Sequence, residues 1–477
     1  MMVRLLMLFV AAVLAACTTV GPDYERPANG AASSQVANGP FLGASEAAFD
    51  PDPVPAGWWR LYESPTLDGL VQEALAANTD LRAAAGNIQR ALAGLDYADA
   101  ARNPTTSLLA GTSYGRRSAE EELRPGKQLA NHFTYGLGAS VSYQVDLFGQ
   151  ISRTIESARA DTDAARAAYD ATRVTVVAET TRAFLDVCSS GREIAVAERS
   201  VALQEKSTEL TRSLFQAGRG NTLDVTRSSA QVDQVRAILP VLSAQKKLAL
   251  YRLAVLTGHA PEDFPRAVQS CEQEPHLTRP IPVGDGASLL RRRPDIRRSE
   301  FELHSATARI GVATADLYPK ITLGASIGSV GLNKNFLDAD TLKFSLGPLI
   351  SWQFPDRSHT QARIRAADAD QQIAFARFDG TVLNALKETE SALETYARDL
   401  ERHALLEAAR EKASRAAQDT QQLFALGKQS YLPVLDATRT LTTVEQSVAA
   451  AESKLASDQV NVFLALGGGW EDDARPR

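Results

Sequence analysis

Aromatic residues and long apolar runs are both scarce in this chain of 477 residues. Phe, Trp and Tyr make up 6% of it, and beyond residues 1–16 there is no apolar run of about 18 residues or more. This excludes a polytopic helical membrane protein, although not a β-barrel, whose strands need only about 10 alternating residues. Ala is abundant, as in residues 158–171, which favours long helices over an all-β sandwich.

Charge of one sign is not concentrated in any domain or tail. The formal net charge is -6 and is spread along the chain, which argues against a nucleic-acid partner. With 23% charged residues, 30 Gly and 21 Pro, the chain is neither disordered nor collagen-like. The densest basic cluster, residues 291–298, is interpreted as a solvated helix start rather than an anion site, because Pro294 suits a first helical turn.

The N-terminus has the features of a bacterial export signal. Arg4 precedes the apolar residues 5–16, which are too few to span a bilayer. Small residues before Cys17 match a lipobox, which predicts cleavage after residue 16 and lipidation of Cys17. More than one acyl chain gives stable anchoring, and Thr18 in place of Asp favours the outer membrane. The alternative is an ordinary signal peptide with a chance Cys.

The chain contains an internal duplication. Upstream, a shift of 215 residues aligns Asp80 with Asp295 and Pro104 with Pro319. An Ala-rich composition does not produce paired Gly, Pro and Leu landmarks at constant offsets, so we interpret them as two copies of one unit. Downstream, a shift of 209 residues aligns Gly218 with Gly427, Leu223 with Leu432, and Gly258 with Gly467.

Both halves have the same predicted order of elements. A helical segment ends before a Pro, two strands of alternating apolar and small or polar residues follow, and a very long helix leads to a Gly turn and a final helix. The predicted helices are 66–102, 150–216, 223–257, 287–318, 357–425 and 432–466, and the strands are 105–114, 134–148, 321–328 and 342–354.

These lengths constrain the architecture. A helix over residues 150–216 would be roughly 100 Å long at about 1.5 Å per residue, so it needs partners along its length, and shorter helices stacked end to end would form a tube with it. Four strands cannot close a transmembrane barrel, since the smallest have about eight. Open edges are not tolerated in lipid, so the strands must be pooled among two, three or four protomers.

Enzyme motifs are not found in the sequence. There is no Gly-rich phosphate loop and no Ser–His–Asp nucleophile motif, and the six His residues lack metal-ligand spacing. We therefore expect no catalysis, no metal and no cofactor, with His304 and His403 on packed or wetted helix faces. The six are His132, His259, His276, His304, His359 and His403.

Short stretches in a characteristic order cover nearly the whole mature chain. They are Cys17 with the Gly-Pro-Asp-Tyr-Glu-Arg-Pro of 21–27, Gly-Trp-Trp at 57–59, and residues 67–81, 292–296, 315–319 and 434–438. Together they resemble the outer membrane factors of tripartite RND-type efflux systems, in particular the NodT-type lipoproteins, and more distantly TolC.

The resemblance implies a mainly α, TolC-like fold. Long coiled helices would form an α-barrel in the periplasm, and four strands per protomer would join a shared 12-stranded transmembrane β-barrel in a homotrimer. It also implies a passive duct that exports drugs or other small toxic compounds across the outer membrane, with a periplasmic adaptor and an inner-membrane RND pump as partners. The alternatives are a type I protein-secretion duct and a non-channel structural lipoprotein.

The functional sites of a duct are its docking surfaces and constrictions. The exposed turns are the parts that a partner can reach end-on, which makes the tip residues docking candidates: Gly218, Leu223, Gly427 and Leu432. The resemblance places Asp436 where an acidic ring narrows the periplasmic entrance, with Arg439 or Arg227 as bridging partners. The competing interpretation puts Asp436 in the first turn of the last helix, where the helix dipole favours a carboxylate.

Stacked helices also bring two thiols to one level. Cys188 on the long helix and Cys271 in the crossover segment lie at the same predicted height, so a disulfide is geometrically possible and two free thiols are the alternative.

The expected division of the chain is a signal peptide (1–16), an anchored extended segment (17–65), repeat 1 (66–258), a crossover segment (259–286), repeat 2 (287–467) and a tail (468–477).

Overall fold

The structure, a computed structural model, describes residues 19–277, 279–352 and 357–470. The predicted signal peptide, Cys17, the last residues of the strand predicted over 342–354 and most of the tail lie outside these ranges. The described chain divides into two compact units, each drawing on both halves of the duplication. The strand unit comprises residues up to Arg26, Ile88–Ala165 and Ser299–Phe378, and the helical unit comprises Pro27–Asn87, Arg166–Arg298 and residues from Asp379 onward.

The strands are β1 Phe49–Asp50, β2 Thr105–Gly115, β3 His132–Val145, β4 Ile281–Pro282, β5 Lys320–Leu332 and β6 Leu342–Ser351. The strand unit contains a four-stranded antiparallel sheet in the order β2-β3-β5-β6. The helical unit contains a two-residue parallel pair, β1 with β4. Each half of the chain supplies one hairpin of the larger sheet, and β3 pairs with β5 to join the two hairpins.

Successive side chains alternate between the two faces of the larger sheet, as the period-2 pattern predicts. On one face, Ile327 lies between Ala139 of β3 and Phe344 of β6. Hydroxyls follow one another on the other face, where hydrogen bonds join Ser107 to Ser140 (2.6 Å) and Ser326 to Ser345 (2.8 Å). The apolar face carries Leu108, Ala110, Leu137, Ala139, Val141, Leu323, Ile327, Phe344 and Leu346.

Two very long helices dominate the chain, and both were predicted to within one residue. They are Gln150–Gln216 and Ser358–Ala425, of 67 and 68 residues. In the described part of the chain, no helix is both long and apolar enough to cross a membrane. The other α-helices are Pro65–Ala77, Thr79–Ala100, Thr222–Arg236, Leu239–Leu256, Arg266–Gln269, Gly286–Arg292, Pro294–Ala315 and Tyr431–Ala465.

The first helical segment of each half is broken, where the sequence predicted a continuous helix. The breaks fall at Asn78 and Arg293, which are equivalent positions under the 215-residue shift. The Oδ1 atom of Asn78 accepts hydrogen bonds from the backbone N–H groups of Asp80 (2.9 Å) and Leu81 (3.2 Å). These bonds cap a new helix, and in the second half Pro294 begins one, since Pro favours the first helical turn.

The final helix of the first half is also broken, which corrects the continuous helix predicted over residues 223–257. Thr222–Arg236 and Leu239–Leu256 are separate helices, with Pro240 in the first turn of the second. Pro has no N–H to donate, and its ring clashes with the carbonyl four residues earlier. The final helix of the second half, Tyr431–Ala465, has Ala449 at the equivalent position and is unbroken.

The helical unit holds the largest apolar core of the described chain. Trp58 is fully buried and stacks on Phe463 with ring centroids 4.5 Å apart. The Tyr62 hydroxyl donates to Gln459 Oε1 over 3.0 Å. The segment that carries Trp58 is held to the second long helix by Glu390, whose carboxylate accepts from two successive backbone N–H groups, those of Leu42 and Gly43.

Candidate functional site

The two helix-turn-helix tips close with the same backbone turn. Gly218 and Gly427 each have a φ of 69°, in the left-handed region that favours glycine. At each tip the residue after the glycine donates its N–H back into the long helix: Arg219 to the Leu214 carbonyl (2.8 Å), and Lys428 to the Leu423 carbonyl (2.9 Å). This is the Schellman pattern, which satisfies carbonyls at a helix end.

The tip side chains that were predicted as docking residues are exposed. Leu223 is 54% and Leu432 is 53% solvent-accessible, so the two tips present a matched pair of apolar side chains. A Cβ atom at Gly218 or Gly427 would meet nothing within 4 Å in the described chain. The sequence therefore located these four residues on an accessible surface of the helical unit.

The gate candidates Asp436, Arg439 and Arg227 are exposed as well. Among the described residues of this one chain, no salt bridge joins Asp436 to either arginine. The competing interpretation of Asp436 is wrong, because the first turn of Tyr431–Ala465 contains no acidic residue and the dipole effect decays within that turn. Asp436 is thus a carboxylate facing solvent one turn inside the last helix.

Tyr431 is a tip residue that the sequence interpretation did not single out. It is buried, and its hydroxyl lies 2.7 Å from Ser207 Oγ on the first long helix and donates to Ser228 Oγ over 3.2 Å. One side chain thus connects the tip of the second half to two helices of the first. The sequence contains a signal for this contact, because the second half has Tyr431 where the duplication places Thr222 in the first half.

Cys188 and Cys271 form a disulfide bond, with their Cα atoms 4.7 Å apart. The bond connects the crossover segment to the first long helix. Next to it, the Ser189 hydroxyl donates to Glu274 Oε1 over 2.8 Å. Glu274 is 4% exposed, and this burial raises the pKa of its carboxyl to about 8, with Glu452 and Asp186 adding to the rise and Ser189 and Arg192 opposing it.

The basic cluster at residues 291–298 contains a helix start at Pro294, as predicted, but two of its arginines are not solvated. Arg292 and Arg293 are each only 8% exposed. Arg292 donates twice to the Leu466 carbonyl, from Nε (3.0 Å) and from a terminal guanidinium nitrogen (2.7 Å), and Arg293 donates to the Ala465 carbonyl over 2.8 Å. The two guanidinium groups thus satisfy the last carbonyls of the final helix, where positive charge is favourable.

The first described residues are held tightly within the strand unit. Arg153 reaches back to the carbonyls of Val20 (3.1 Å) and Gly21 (3.2 Å) and to Asp23 (2.7 Å). Gly21 has a φ of 88°, and a Cβ atom there would lie 2.4 Å from the Gly311 backbone, so the segment packs closely. Cys17 lies outside the described residues.

Aromatic side chains gather where the strands of the larger sheet meet helices. Phe148, three residues after β3, stacks on Tyr318, two residues before β5, with centroids 4.5 Å apart. Trp352, directly after β6, donates its indole N–H to the Leu317 carbonyl over 3.1 Å. An aromatic girdle at one end of an apolar-faced sheet is typical of the interface level of an outer-membrane protein.

The two-faced sheet with its aromatic girdle, together with the two very long helices, defines a channel-type protein of the outer membrane. The chain belongs to the outer membrane efflux protein family, whose model matches residues 70–259 and 287–468. It is an outer membrane channel component of an efflux system.

Relatives and solved structures cover almost the whole chain. The chain is 28% identical to nodulation protein T of Rhizobium leguminosarum bv. trifolii over 98% of this chain and 97% of that protein. It is 29% identical to the pyoverdine export outer membrane protein OpmQ of Pseudomonas aeruginosa, over 87% and 88%. The solved outer-membrane channel OprN is 33% identical and superposes with a TM-score of 0.88, over 95% of this chain and 100% of that one.

Proposed function

We propose that the chain works as a lipid-anchored homotrimer, a passive duct that receives small toxic molecules from an inner-membrane RND pump through a periplasmic adaptor. The observation that carries this proposal is the four-stranded sheet with one apolar and one hydroxyl-lined face. An apolar face suits lipid and a polar face suits a water-filled lumen.

The two edges of that sheet support the oligomer. β2 and β6 each pair with one neighbour only among the described residues. In lipid, unpaired backbone groups cost several kcal/mol each, so the edges must meet strands of other protomers. Three copies of four strands give 12, which exceeds the minimum of about eight for a closed barrel.

The position of the first described residues supports lipidation at Cys17. Thr19 packs on Gly149, which lies four residues after β3 and directly before the first long helix, at the end of the sheet that bears the aromatic girdle. Acyl chains on a residue two positions earlier would therefore start near the membrane interface, where they can insert.

The names of the relatives support small molecules as cargo. OpmQ is named for pyoverdine export, and a relative in Pseudomonas putida, 27% identical, is a toluene efflux pump outer membrane protein. Both names describe small compounds rather than proteins.

We place the adaptor at the exposed tips around Leu223 and Leu432, and we assign the duct no catalytic step and no cofactor.

The domain boundaries belong to the same proposal. Repeat 1 is residues 66–258 and repeat 2 is residues 287–467, with the crossover segment of residues 259–286 between them. A cleaved signal (1–16), an anchored segment (17–65) and a tail (468–477) complete the division. The duplicated turns at Gly258 and Gly467, which both have positive φ, support ending each repeat at these residues.

Single-channel recording tests the duct. The purified full chain in planar bilayers is expected to give discrete conductance steps and to migrate as a trimer after cross-linking. A Cys17→Ser variant is expected to lose acylation, as measured by mass, and to keep the conductance once reconstituted. Absence of conductance from a correctly folded trimer would contradict the proposal.

The gate is tested at Asp436. Three exposed carboxylates around an axis repel one another and attract cations, and Arg439 or Arg227 of a neighbouring protomer is the proposed partner that holds them closed. Asp436→Ala is expected to raise single-channel conductance and drug leakage, whereas Asp419→Ala, on the second long helix, serves as the control. Unchanged conductance and leakage in Asp436→Ala would remove the gate assignment.

A further inference from the structure

Two helices of the second half bring together a set of side chains that the duct function does not use. His403 and Glu407 lie four residues apart on the second long helix, so they share one face, and Glu452 approaches from the last helix. The donor atoms of the three side chains all lie within 4.8 Å of one another. We propose that these residues form a binding site for a divalent transition ion of the Zn²⁺ type.

The burial of the donor atoms points to a ligand. His403 Nε2 and Glu452 Oε2 are both buried and have no hydrogen-bond partner within the described chain. The distance from His403 Nε2 to Glu452 Oε1 is 3.8 Å, too long for a hydrogen bond. Buried polar atoms without partners are rare in folded proteins, and a shared cation would satisfy both of these.

Neighbouring arginines hold the two carboxylates in place. Arg192 donates to Glu452 Oε1 over 2.6 Å, which leaves Oε2 for the ion. Arg410 lies 2.7 Å from Glu407 Oε2. Hydrogen-bonded support of ligating carboxylates is a usual feature of metal sites, where it orients the ligand. The arginines also offset the carboxylate charge, so we expect moderate rather than tight affinity.

The donor set selects the class of ion. One imidazole nitrogen with two carboxylate oxygens suits Zn²⁺, Co²⁺ or Ni²⁺, whereas Mg²⁺ and Ca²⁺ prefer oxygen alone and soft ions prefer sulfur. Bonds of about 2.0–2.2 Å require donor separations of roughly 3–4 Å, which small side-chain rotations supply. The His403 side chain is 25% exposed, which gives the ion access from solvent.

Co²⁺ titration of the purified full chain in detergent tests the site. We expect a saturable visible d–d absorption band at a stoichiometry of one ion per chain, which Zn²⁺ abolishes by displacement. His403→Gln and Glu452→Gln are each expected to weaken this binding by at least about tenfold. Glu407→Gln, at the most exposed of the three ligands, serves as a further variant if either of the others fails to fold by circular dichroism.

His304→Gln is the matched control. His304 is also a helical histidine beside a glutamate, 3.1 Å from Glu156 Oε1, but it is not part of a three-donor group among the described residues. This variant is expected to bind Co²⁺ like the unmodified chain. If the unmodified chain gives no saturable band, or if folded site variants bind as well as the control, the residues form only an ion pair and the proposal is overturned.

Discussion

In both halves of the chain, the residue at the helix break binds the end of the final helix, but the two halves use different side chains for this contact. The helix break at Asn78 in the first half corresponds to the break at Arg293 in the second. Asn78 Nδ2 donates to the Leu256 carbonyl (3.1 Å), and Arg293 donates to the Ala465 carbonyl (2.8 Å). Leu256 and Ala465 are themselves equivalent under the 209-residue shift. Duplication has thus preserved the contact between the break and the end of the final helix, while the residue that makes it has changed.

The final helices of the two halves differ in continuity because of a single residue. Pro240 separates two helices in the first half, and Ala449 lies inside one continuous helix in the second. The crossover segment, with its disulfide to Cys188, also follows only the first half, since Ala397 occupies the position equivalent to Cys188. The first half is therefore joined covalently to the crossover segment and has a broken final helix, whereas the final helix of the second half is continuous.

The largest expected effect on stability comes from introducing a proline into the final helix of the second half, at the position equivalent to Pro240. Ala449→Pro removes one helix hydrogen bond and introduces a clash with the carbonyl of residue 445, at a cost of about 3 kcal/mol or more. The reverse change, Pro240→Ala, is expected to alter stability by less than about 1 kcal/mol. Denaturant unfolding of the detergent-solubilised protein measures both, with Ala449→Ser as the control. Equal effects of the two changes would contradict the role given to Pro240.

Arg293→Ala is expected to cost more than Asn78→Ala. The buried guanidinium of Arg293 donates to the Ala465 carbonyl, Asp295 and Glu388, so its removal loses several charge-assisted hydrogen bonds, at about 2–3 kcal/mol in total. Asn78 caps a helix with a neutral amide, and its loss costs about 1 kcal/mol. The same unfolding measurement applies, and Arg415→Ala, at an exposed pair, should change stability by less than about 0.5 kcal/mol. A larger loss for Asn78→Ala would reverse this ranking.

The crossover segment is expected to make stability depend on pH. Because the pKa of Glu274 is raised to about 8, the folded state holds a proton that the unfolded state releases near its ordinary pKa of 4.5. Its contribution is complete below that ordinary value and is lost as pH rises towards 8, at no more than about 1.4 kcal/mol per pH unit. Glu274→Gln should flatten the melting temperature across this window. An unchanged slope would assign the pH dependence to other groups.

The smallest expected effect compares the two tips. Gly218→Ala and Gly427→Ala each place a Cβ atom at positive φ but in open space, so each is expected to cost about 1 kcal/mol. Gly380→Ala, inside the second long helix, is the control with the opposite sign, since Ala is favoured there by about 1 kcal/mol. Thermal unfolding measures all three, and unequal costs at the two tips would show that their turns are not equivalent.

Particular residues show how far prediction from the sequence reached. The long helices, the alternating strands and the Gly turns were correct because each depends on a local rule: helical periodicity, two-residue alternation, or freedom at positive φ. Pro240 was a local signal too, and it was overlooked. Asn78 and Arg293 were not foreseeable, because their partners, Leu256 and Ala465, lie more than 170 residues away.

The proposed metal site likewise depends on a contact between residues that are distant in the sequence. His403 and Glu407 have the spacing of two residues on one helix face, a pattern that the sequence contains but that is common by chance. Glu452 completes the set from another helix, 45 residues after Glu407. Only packing of the two helices turns a frequent spacing into a three-donor group.

The order of residues alone determined the duplication, the lengths of the two long helices, the apolar and polar faces of the strands, and the resemblance that led to the efflux family. The first three follow from the period of a repeated pattern and the resemblance follows from short stretches in a characteristic order, and none of them depends on distant contacts. Packing decided which charged residues are buried. Arg292, Arg293 and Glu274 look like surface residues in the sequence, yet they are buried because helix-end carbonyls and a serine hydroxyl offer them partners that compensate for the loss of water.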